Sequence, residues 1–237
     1  MANLTGKERA DYVQAMFSRI APRYDLLNRL ITFGQDVRWR QEVIRRAGLQ
    51  PGQRLLDLGA GTGDLGREAL RQAPDCLPVA ADFTLPMMQV GRARLSGAAA
   101  ARIAWTSADA LRLPFPDRTF DAVVSGFLLR NVVDLPAALA EQLRVLRPGG
   151  RLVALDSSPP PPNSPLLPFM QVHLRWVIPT LGRWVAGQPE AYEYLPATTA
   201  GFLSPEQLAA RLQTAGFRQV GFERLMFGAV SIHWGVK

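Results

Sequence analysis

Apolar positions recur at helical spacing near the front of the chain, at Val13, Met16, Phe17 and Ile20, then at Tyr24, Leu27 and Leu30 or Ile31. This predicts helix over residues 7–31, broken or kinked where Pro22 removes a backbone N–H. A second helix is expected over residues 37–47, ended by Gly48, with Pro51 and Gly52 as the turn beyond. From there the period changes. Short apolar runs at Leu55–Leu58, Leu77–Ala81, Ile103–Thr106, Phe120–Ser125 and Arg151–Leu155 read as strands. Helical patterns stand between them at Asp64–Gln72, Pro86–Leu95 and Pro136–Leu146, the last stopped by Pro148, Gly149 and Gly150. Such alternation predicts a parallel sheet wrapped by helices.

The rhythm breaks over Ser157–Thr199. The run Pro159–Pro162 cannot be helix interior or central strand. Leu166–Ala186, rich in Leu, Phe, Met, Trp and Val, is expected to form one or two helices split at Pro179. An apolar insert after the fifth strand predicts a lid over a site, or else a second packed core. Ser204, Pro205 and Gln207 then spell an N-cap, a proline in the first turn and a capping-box partner, for a helix ending at Gly216. Phe217–Met226 and Ala229–Val236 are expected to pair about Gly228 as a closing antiparallel hairpin.

Candidate chemistry concentrates at Leu55–Asp64. A buried strand ends in Asp57 and runs into Gly59, Gly61 and Gly63, which open a helix. Without Cβ atoms, such a turn lets a ligand approach the backbone closely. Asp82 ends the next apolar run, 19 residues after Gly63, where a carboxylate can accept hydrogen bonds from a ribose diol. Gly61, Gly63 and Gly66 formally satisfy the dinucleotide pattern G-x-G-x-x-G, a short and weak match. Asp57 argues against a dinucleotide: a carboxylate there repels a pyrophosphate and suits a cationic amino group. The segment Asp57–Gly63 resembles motif I of the class I S-adenosylmethionine methyltransferases. That resemblance implies S-adenosyl-L-methionine as cofactor.

Composition narrows the classes. A chain of 237 residues with 48% hydrophobic content suits one generous domain, or a domain with a lid. The single cysteine, Cys76, excludes an internal disulfide, and His173 and His233 suggest no metal site. No apolar signal core opens the chain and no apolar run is long enough to span a bilayer, so a cytoplasmic location is expected. The net charge of +7 comes almost wholly from arginine, with Lys7 and Lys237 the only lysines. The arginines are scattered, with no stripe interleaved with aromatics, so no nucleic-acid partner is expected. An anionic membrane surface, touched weakly and from outside, remains compatible. The oligomeric state stays open, a homo-oligomer included.

Further segments carry a more specific resemblance, which covers nearly the whole chain. Met16–Asn28, with Tyr24 and Asp25, followed by Phe33, Gly34 and Trp39; Leu113–Asp117 with Phe120 and Asp121; Leu129–Val132; Arg144–Gly150; Tyr192, Tyr194 and Leu195; and the ending His233–Lys237 are similar to the quinone C-methyltransferases of menaquinone and ubiquinone biosynthesis. Three places depart from that family. Gly126, Phe127 and Leu128 stand for its Ser-Phe-Gly, removing a serine that touches the cofactor in relatives but leaving Ser125 adjacent. Leu155, Asp156 and Ser157 stand for Leu-Glu-Phe, and Pro196–Thr199 for Ala-Glu-Ser-Ile. The cofactor half thus matches better than the substrate wall.

The resemblance implies a Rossmann-like, doubly wound, seven-stranded and mostly parallel α/β sheet with a final antiparallel hairpin, N-terminal helices and a helical insert after strand 5. It divides the single methyltransferase domain, residues 1–237, into an N-terminal helical cap (1–50), a cofactor-binding half (51–156), a lid insert (157–200) and a C-terminal helix and hairpin (201–237). It implies methyl transfer to a ring carbon of a prenylated hydroquinone, most simply demethylmenaquinol. A ubiquinone precursor or another small aromatic acceptor is the first alternative. A cofactor-binding scaffold without turnover is the second, and an NAD-dependent oxidoreductase is disfavoured by Asp57.

A ring carbon is a poor nucleophile until its neighbouring phenol, with a pKa of about 10, loses a proton. Asp25 is the candidate acceptor of that proton, or else the N-cap of a helix from Leu26. Arg130 cannot be a base but can stabilise a phenolate, its alternative being a surface arginine. Asn131 orients the hydroxyl or a water, or is an ordinary loop residue. For the cofactor the candidates are Asp57, Gly59, Gly61, Thr62, Asp82, Asp109, Ala110 and Ser125, with Thr62 toward the methionine end. Asp109 and Ala110 would read adenine, unless Asp109 caps a helix. Tyr24, Tyr192 and Tyr194 are candidates for the acceptor pocket.

Overall fold

The computed structural model describes residues 6–95, 102–159 and 198–237, together with Leu167, Val172, Trp176, Val177 and Thr180. Tyr192, Tyr194 and nearly all of the expected insert helices lie outside the described residues.

Helix α1 (Gly6–Ile20) stops where a 3₁₀ turn, Ala21–Arg23, carries Pro22, and α2 (Tyr24–Ile31) resumes beyond it. Helix α3 (Gln35–Ala47) closes on Gly48, whose φ of 63° is the left-handed value that glycine adopts without strain. The core alternates as expected: β1 (Arg54–Leu58), α4 (Asp64–Gln72), β2 (Leu77–Asp82), α5 (Leu85–Ala93), β3 (Ala104–Ser107), β4 (Phe120–Gly126), α6 (Leu135–Val145) and β5 (Leu146–Ser157). After the insert come α7 (Pro205–Thr214), β6 (Arg218–Leu225) and β7 (Val230–Val236). The Ser204 hydroxyl accepts from the Gln207 N–H and the Gln207 side chain accepts from the Ser204 N–H, completing the expected capping box.

The seven strands form one sheet in the order β3-β2-β1-β4-β5-β7-β6. The first five are parallel, and β7 runs antiparallel between β5 and β6. The chain order reverses between β1 and β4. In open α/β sheets, ligands bind outside the carboxyl ends of the strands at such a switch point. Successive residues point to opposite faces. Leu56, Leu58, Val123 and Leu152 meet Leu139 and Val145 of α6 and Leu208 and Leu212 of α7. Leu55, Val124, Val153 and Leu155 meet Trp39, Val43 and Ile44 of α3 and Leu65 of α4. Both faces are covered, which is why these strands read as continuous apolar runs.

The largest departure from an expected boundary is in the fifth strand. The fifth strand was expected to start at Arg151, after a Pro-Gly-Gly stop, yet β5 begins at Leu146, paired with Phe120. The register then shifts before Ala122 pairs with Arg151. Pro148, Gly149 and Gly150 are therefore absorbed as an irregularity inside a long strand, a device that bends the strand without ending it.

Candidate active site

The turn after β1 holds its glycines in the left-handed region, with φ of 67° at Gly59, 55° at Gly61 and 79° at Gly63. Their surroundings are close. A Cβ on Gly59 would stand 2.9 Å from Leu128 Cδ1, and one on Gly63 would stand 2.5 Å from Trp105 Cη2. The turn was expected to offer its N–H groups to a ligand. Instead Gly59 N–H donates to Ala81 O (2.8 Å), Gly61 N–H to Asp82 Oδ2 (2.8 Å) and Gly63 N–H to Ala60 O (2.8 Å). These donors are spent within the loop and on β2. What the loop presents is carboxylates, a poor cradle for a pyrophosphate and a good one for a cation.

Asp57, only 1% exposed, is the penultimate residue of β1. Its Oδ2 accepts from Gly66 N–H at 3.0 Å, while Oδ1 is buried without a partner. Burial pushes its carboxyl up to about 7, with the Gly66 N–H opposing the shift and Asp64 and Asp82 adding to it. An orphaned buried carboxylate oxygen calls for a donor, and an ammonium supplies both donor and charge. S-adenosyl-L-methionine carries that group, so the residues present fit it.

Asp82 ends β2. Its Oδ1 accepts from Thr84 N–H at 2.7 Å and its Oδ2 from Gly61 N–H, and burial raises its pKa against these bonds. The Thr84 hydroxyl and the Phe83 N–H act on the same carboxylate. Thr62 is buried, and its hydroxyl donates to Asp25 Oδ1 at 2.9 Å. The hydroxyl expected to meet the methionine end is thus committed as a donor to α2. Asp25 is in the first turn of α2, the N-cap being Arg23, so the capping alternative for Asp25 falls. Its other oxygen pairs with Arg94, just past α5. Arg94 was not anticipated, since nothing in its surroundings along the chain marks it among the arginines.

A second ion network braces the same loop. Asp36, 1% exposed, pairs with Arg29 and Arg40. Arg40 reaches on to Asp64 at 3.1 Å, and Arg67 donates to Thr62 O at 2.7 Å. The N-terminal helices and the start of α4 are thereby tied to the glycine turn.

Asp109 follows β3, exposed, with Oδ1 accepting from Leu111 N–H at 2.9 Å. It caps its own turn, and no helix follows, so the helix-cap alternative also falls. Ala110 packs against the apolar core. Ser125, fully buried at the end of β4, has a hydroxyl without a partner.

The turn after β4 carries the remaining candidates. Arg130 is no surface residue: it is 7% exposed, with its guanidinium 5.1 Å from the Phe127 ring centroid. Its Nη1 donates to Asp156 Oδ1 at 2.6 Å, and its Nε is buried without a partner. Asn131 Nδ2 donates to Phe127 O at 2.9 Å, closing the turn. Arg9 of α1 donates to Arg130 O at 2.9 Å. Tyr24 is half-buried and meets Phe17 edge to face, with ring centroids 5.8 Å apart. Asp25 is thus anchored at the glycine turn, and Arg130 and Asn131 at the turn after β4. Asp156, noted in the sequence only as a departure in the substrate wall, was not among the candidate site residues. Its place at the carboxyl end of β5, beside β4, was the available signal.

Comparison with known proteins adds to this geometry. The model of the ubiE/COQ5 methyltransferase family matches residues 5–237. A protein of Desulfotalea psychrophila named ubiquinone/menaquinone biosynthesis C-methyltransferase UbiE is 45% identical over 95% of this chain and 90% of its own. A demethylmenaquinone methyltransferase of Thermus thermophilus is 46% identical over 93% of this chain and 99% of its own. Among solved structures, a SAM-dependent methyltransferase from Aquifex aeolicus aligns with a TM-score of 0.59 at 18% identity, covering 83% of this chain and 88% of that one. The [4+2]-cyclase SpnF aligns with a TM-score of 0.68 at 20% identity, over 98% of this chain and 96% of that one. A cyclase sharing the fold shows that the fold alone does not set the reaction.

Proposed function

This chain belongs to the ubiE/COQ5 methyltransferase family, and from that premise we propose that it methylates a ring carbon of demethylmenaquinol to give menaquinol. The broader activity is S-adenosylmethionine-dependent C-methylation in quinone biosynthesis. The observation that carries the narrower reading is the likeness to the Thermus demethylmenaquinone methyltransferase over nearly the full length of both chains. A ubiquinone precursor, a 2-methoxy-6-polyprenylbenzoquinol, is the second reading, favoured by the double name of the Desulfotalea relative.

S-adenosylmethionine, when bound, supplies the electrophilic methyl group. In the proposed division of labour, Asp57 holds the ammonium through Oδ1 and Asp82 accepts from the ribose hydroxyls. Arg130 offers its unused donors to the oxygen of the acceptor ring, where charge builds as the phenol loses its proton. Asp25 accepts that proton, directly or through water. The ring carbon beside the phenolate would take that methyl group as the methyl–sulfur bond breaks, leaving S-adenosylhomocysteine, and the ring would rearomatise by releasing its own proton to water. What supports these roles is the orphaned oxygen on Asp57, the orphaned Nε on Arg130 and the position of both turns at the strands' carboxyl ends.

A prenylated acceptor resides in the bilayer. Among the described residues no helix is long and apolar enough to cross a membrane. Peripheral contact through the insert, where Trp176 is 71% exposed, is therefore part of the proposal. Purified protein given S-adenosylmethionine and either short-chain demethylmenaquinol or the benzoquinol tests the acceptor. Methylation of the first in preference to the second is expected, and the reverse preference would overturn the reading. Co-sedimentation with anionic liposomes at low and high salt tests the contact: binding lost at high salt is expected, and no binding at either salt rejects it.

A further inference from the structure

Asp156 is fully buried at the carboxyl end of β5, between β4 and β7. Its oxygens are occupied from three directions. Oδ1 accepts from Arg130 Nη1 at 2.6 Å and from Ser157 N–H at 2.8 Å, and Oδ2 accepts from the Arg130 backbone N–H at 3.2 Å. One carboxylate therefore grips both the side chain and the backbone of a single residue. Arg130 is gripped from further sides: Phe127 lies against its guanidinium, and Arg9 bonds its carbonyl. Amid this restraint Nε has no partner.

Burying an ion pair costs desolvation that apolar packing would avoid. A pair serving stability alone has no reason to leave a buried donor unmatched. Restraint of a cation together with an unspent donor is what preorganised stabilisation of a developing anion requires. Asp156 itself is fully buried, with three N–H donors already engaging its oxygens.

We propose that Asp156 is the positioning residue for the acceptor site: it fixes the guanidinium of Arg130 so that the unused donors are held ready for the oxyanion of the ring undergoing methylation. This rests on the quinol reading given above. Asp156 touches neither substrate nor cofactor in this role and acts through Arg130.

A double-mutant cycle on turnover is the test, with short-chain demethylmenaquinol as acceptor. Asp156→Asn should lower kcat by about tenfold or more while leaving the S-adenosylmethionine Kd within about twofold. In an Arg130→Gln background the same change should cost kcat almost nothing further, because the group it positions is gone. Asp156→Glu, which keeps the carboxylate, should recover part of the lost kcat. Should the Asn variant not accumulate folded, the cycle is run with Asp156→Glu: a several-fold loss with Arg130 present and none in the Arg130→Gln background is expected. Equal losses in both backgrounds, or a lower folded fraction with unchanged kcat per folded molecule, would overturn the positioning role. Wild-type protein inactive on the quinol would overturn the functional reading and this inference together. An active wild type with an indifferent Asp156 removes this inference alone.

Discussion

The hydroxyl of Thr62, in the glycine turn, donates a 2.9 Å hydrogen bond to Asp25 Oδ1, in the first turn of α2. The bond joins the N-terminal helices to the cofactor half across 37 positions of sequence. The pairing of Asp25 with Arg94 adds the end of α5 to the same junction. A carboxylate so placed is fixed from two sides, and it stands where the glycine turn meets the helical cap.

The first prediction concerns that carboxylate as proton acceptor. Asp25→Asn keeps an oxygen for Thr62 but removes the basic group. Positioned general bases contribute on the order of 10²–10⁴-fold, so kcat on demethylmenaquinol should fall by about 10² or more. Thr62→Ala removes only a neutral donor and should cost about 1 kcal/mol of stability. Initial rates and denaturant unfolding measure the two. Full kcat in the Asn variant would remove Asp25 from the proton path.

Asp57 yields a pH dependence with a definite sign. Burial pushes its carboxyl up to about 7, above its unfolded value. Its contribution to stability is therefore full below about pH 3.9 and lost as pH rises through about 7. A bound ammonium favours the ionised form instead. Binding S-adenosylmethionine should then release a proton near pH 6, and affinity should rise with pH up to about 7 before levelling. Calorimetry in buffers of different ionisation enthalpy counts the proton. Asp57→Asn should abolish the release and weaken binding by about 1.5–3 kcal/mol. An Asn variant that still releases the proton would assign it to another group.

Gly91 separates propensity from packing. In the interior of a helix, Gly→Ala gains about 1 kcal/mol from propensity alone. At Gly91 in α5 the new Cβ would lie 2.5 Å from Thr62 O and 2.7 Å from Trp105 Cη2. A backbone carbonyl cannot swing aside as a side-chain tip can, and overpacking costs about 1–3 kcal/mol or more. The clash should win: Gly91→Ala should lower the melting temperature and weaken cofactor binding, because α5 is pushed off the glycine turn. Gly149→Ala is the contrast. Its φ is 79° with nothing within 4 Å, so only the left-handed strain of about 1–2 kcal/mol applies, with cofactor affinity unchanged. A stabilised Gly91→Ala protein would show that α5 has room to move.

Much of this was legible in the chain because it is written in local pattern. Strand runs between helical runs gave the sheet, and Asp57 and Asp82 stand out because each ends an apolar run at a place where ligands bind. The start of β5 was hidden, since Pro148 and the following glycines are local stop signals that a long-range pairing with Phe120 overrides. The pairing of Asp156 with Arg130 was hidden for a related reason: the two are 26 residues apart, and an acid before a proline run has no spacing that marks its partner. Arg94 meets Asp25 across 69 positions. The capping alternative for Asp25 failed because a cap depends on where a helix starts, to within one residue, and that for Asp109 because the turn after β3 opens no helix. Hydrogen bonds from the glycine turn to β2 depend on strand placement, and no motif displays them.

The last prediction reads the closing hairpin. His233 is fully buried on β7, its Nε2–H donating to Pro205 O at 2.9 Å and its ring stacked on Phe222 at 5.5 Å. This holds the start of α7 against the sheet. Burial lowers the pKa of the imidazole, with the Pro205 bond and the charges of Asp156 and Glu206 opposing the shift and Arg224 adding to it. A histidine with a depressed folded value contributes stability that is present above its unfolded value, near 6.5, and lost as pH falls through the folded one. His233→Phe keeps the volume and the stacking and cannot charge. Wild-type protein should therefore lose more stability than His233→Phe between about pH 7.5 and 5. Asp57 shifts in the opposite sense over part of that range, but it is common to both proteins and cancels in the difference. Denaturant midpoints at the two pH values measure it. A gap between wild type and variant that stays constant with pH would mean that His233 remains neutral throughout, and that acid sensitivity of the hairpin lies elsewhere.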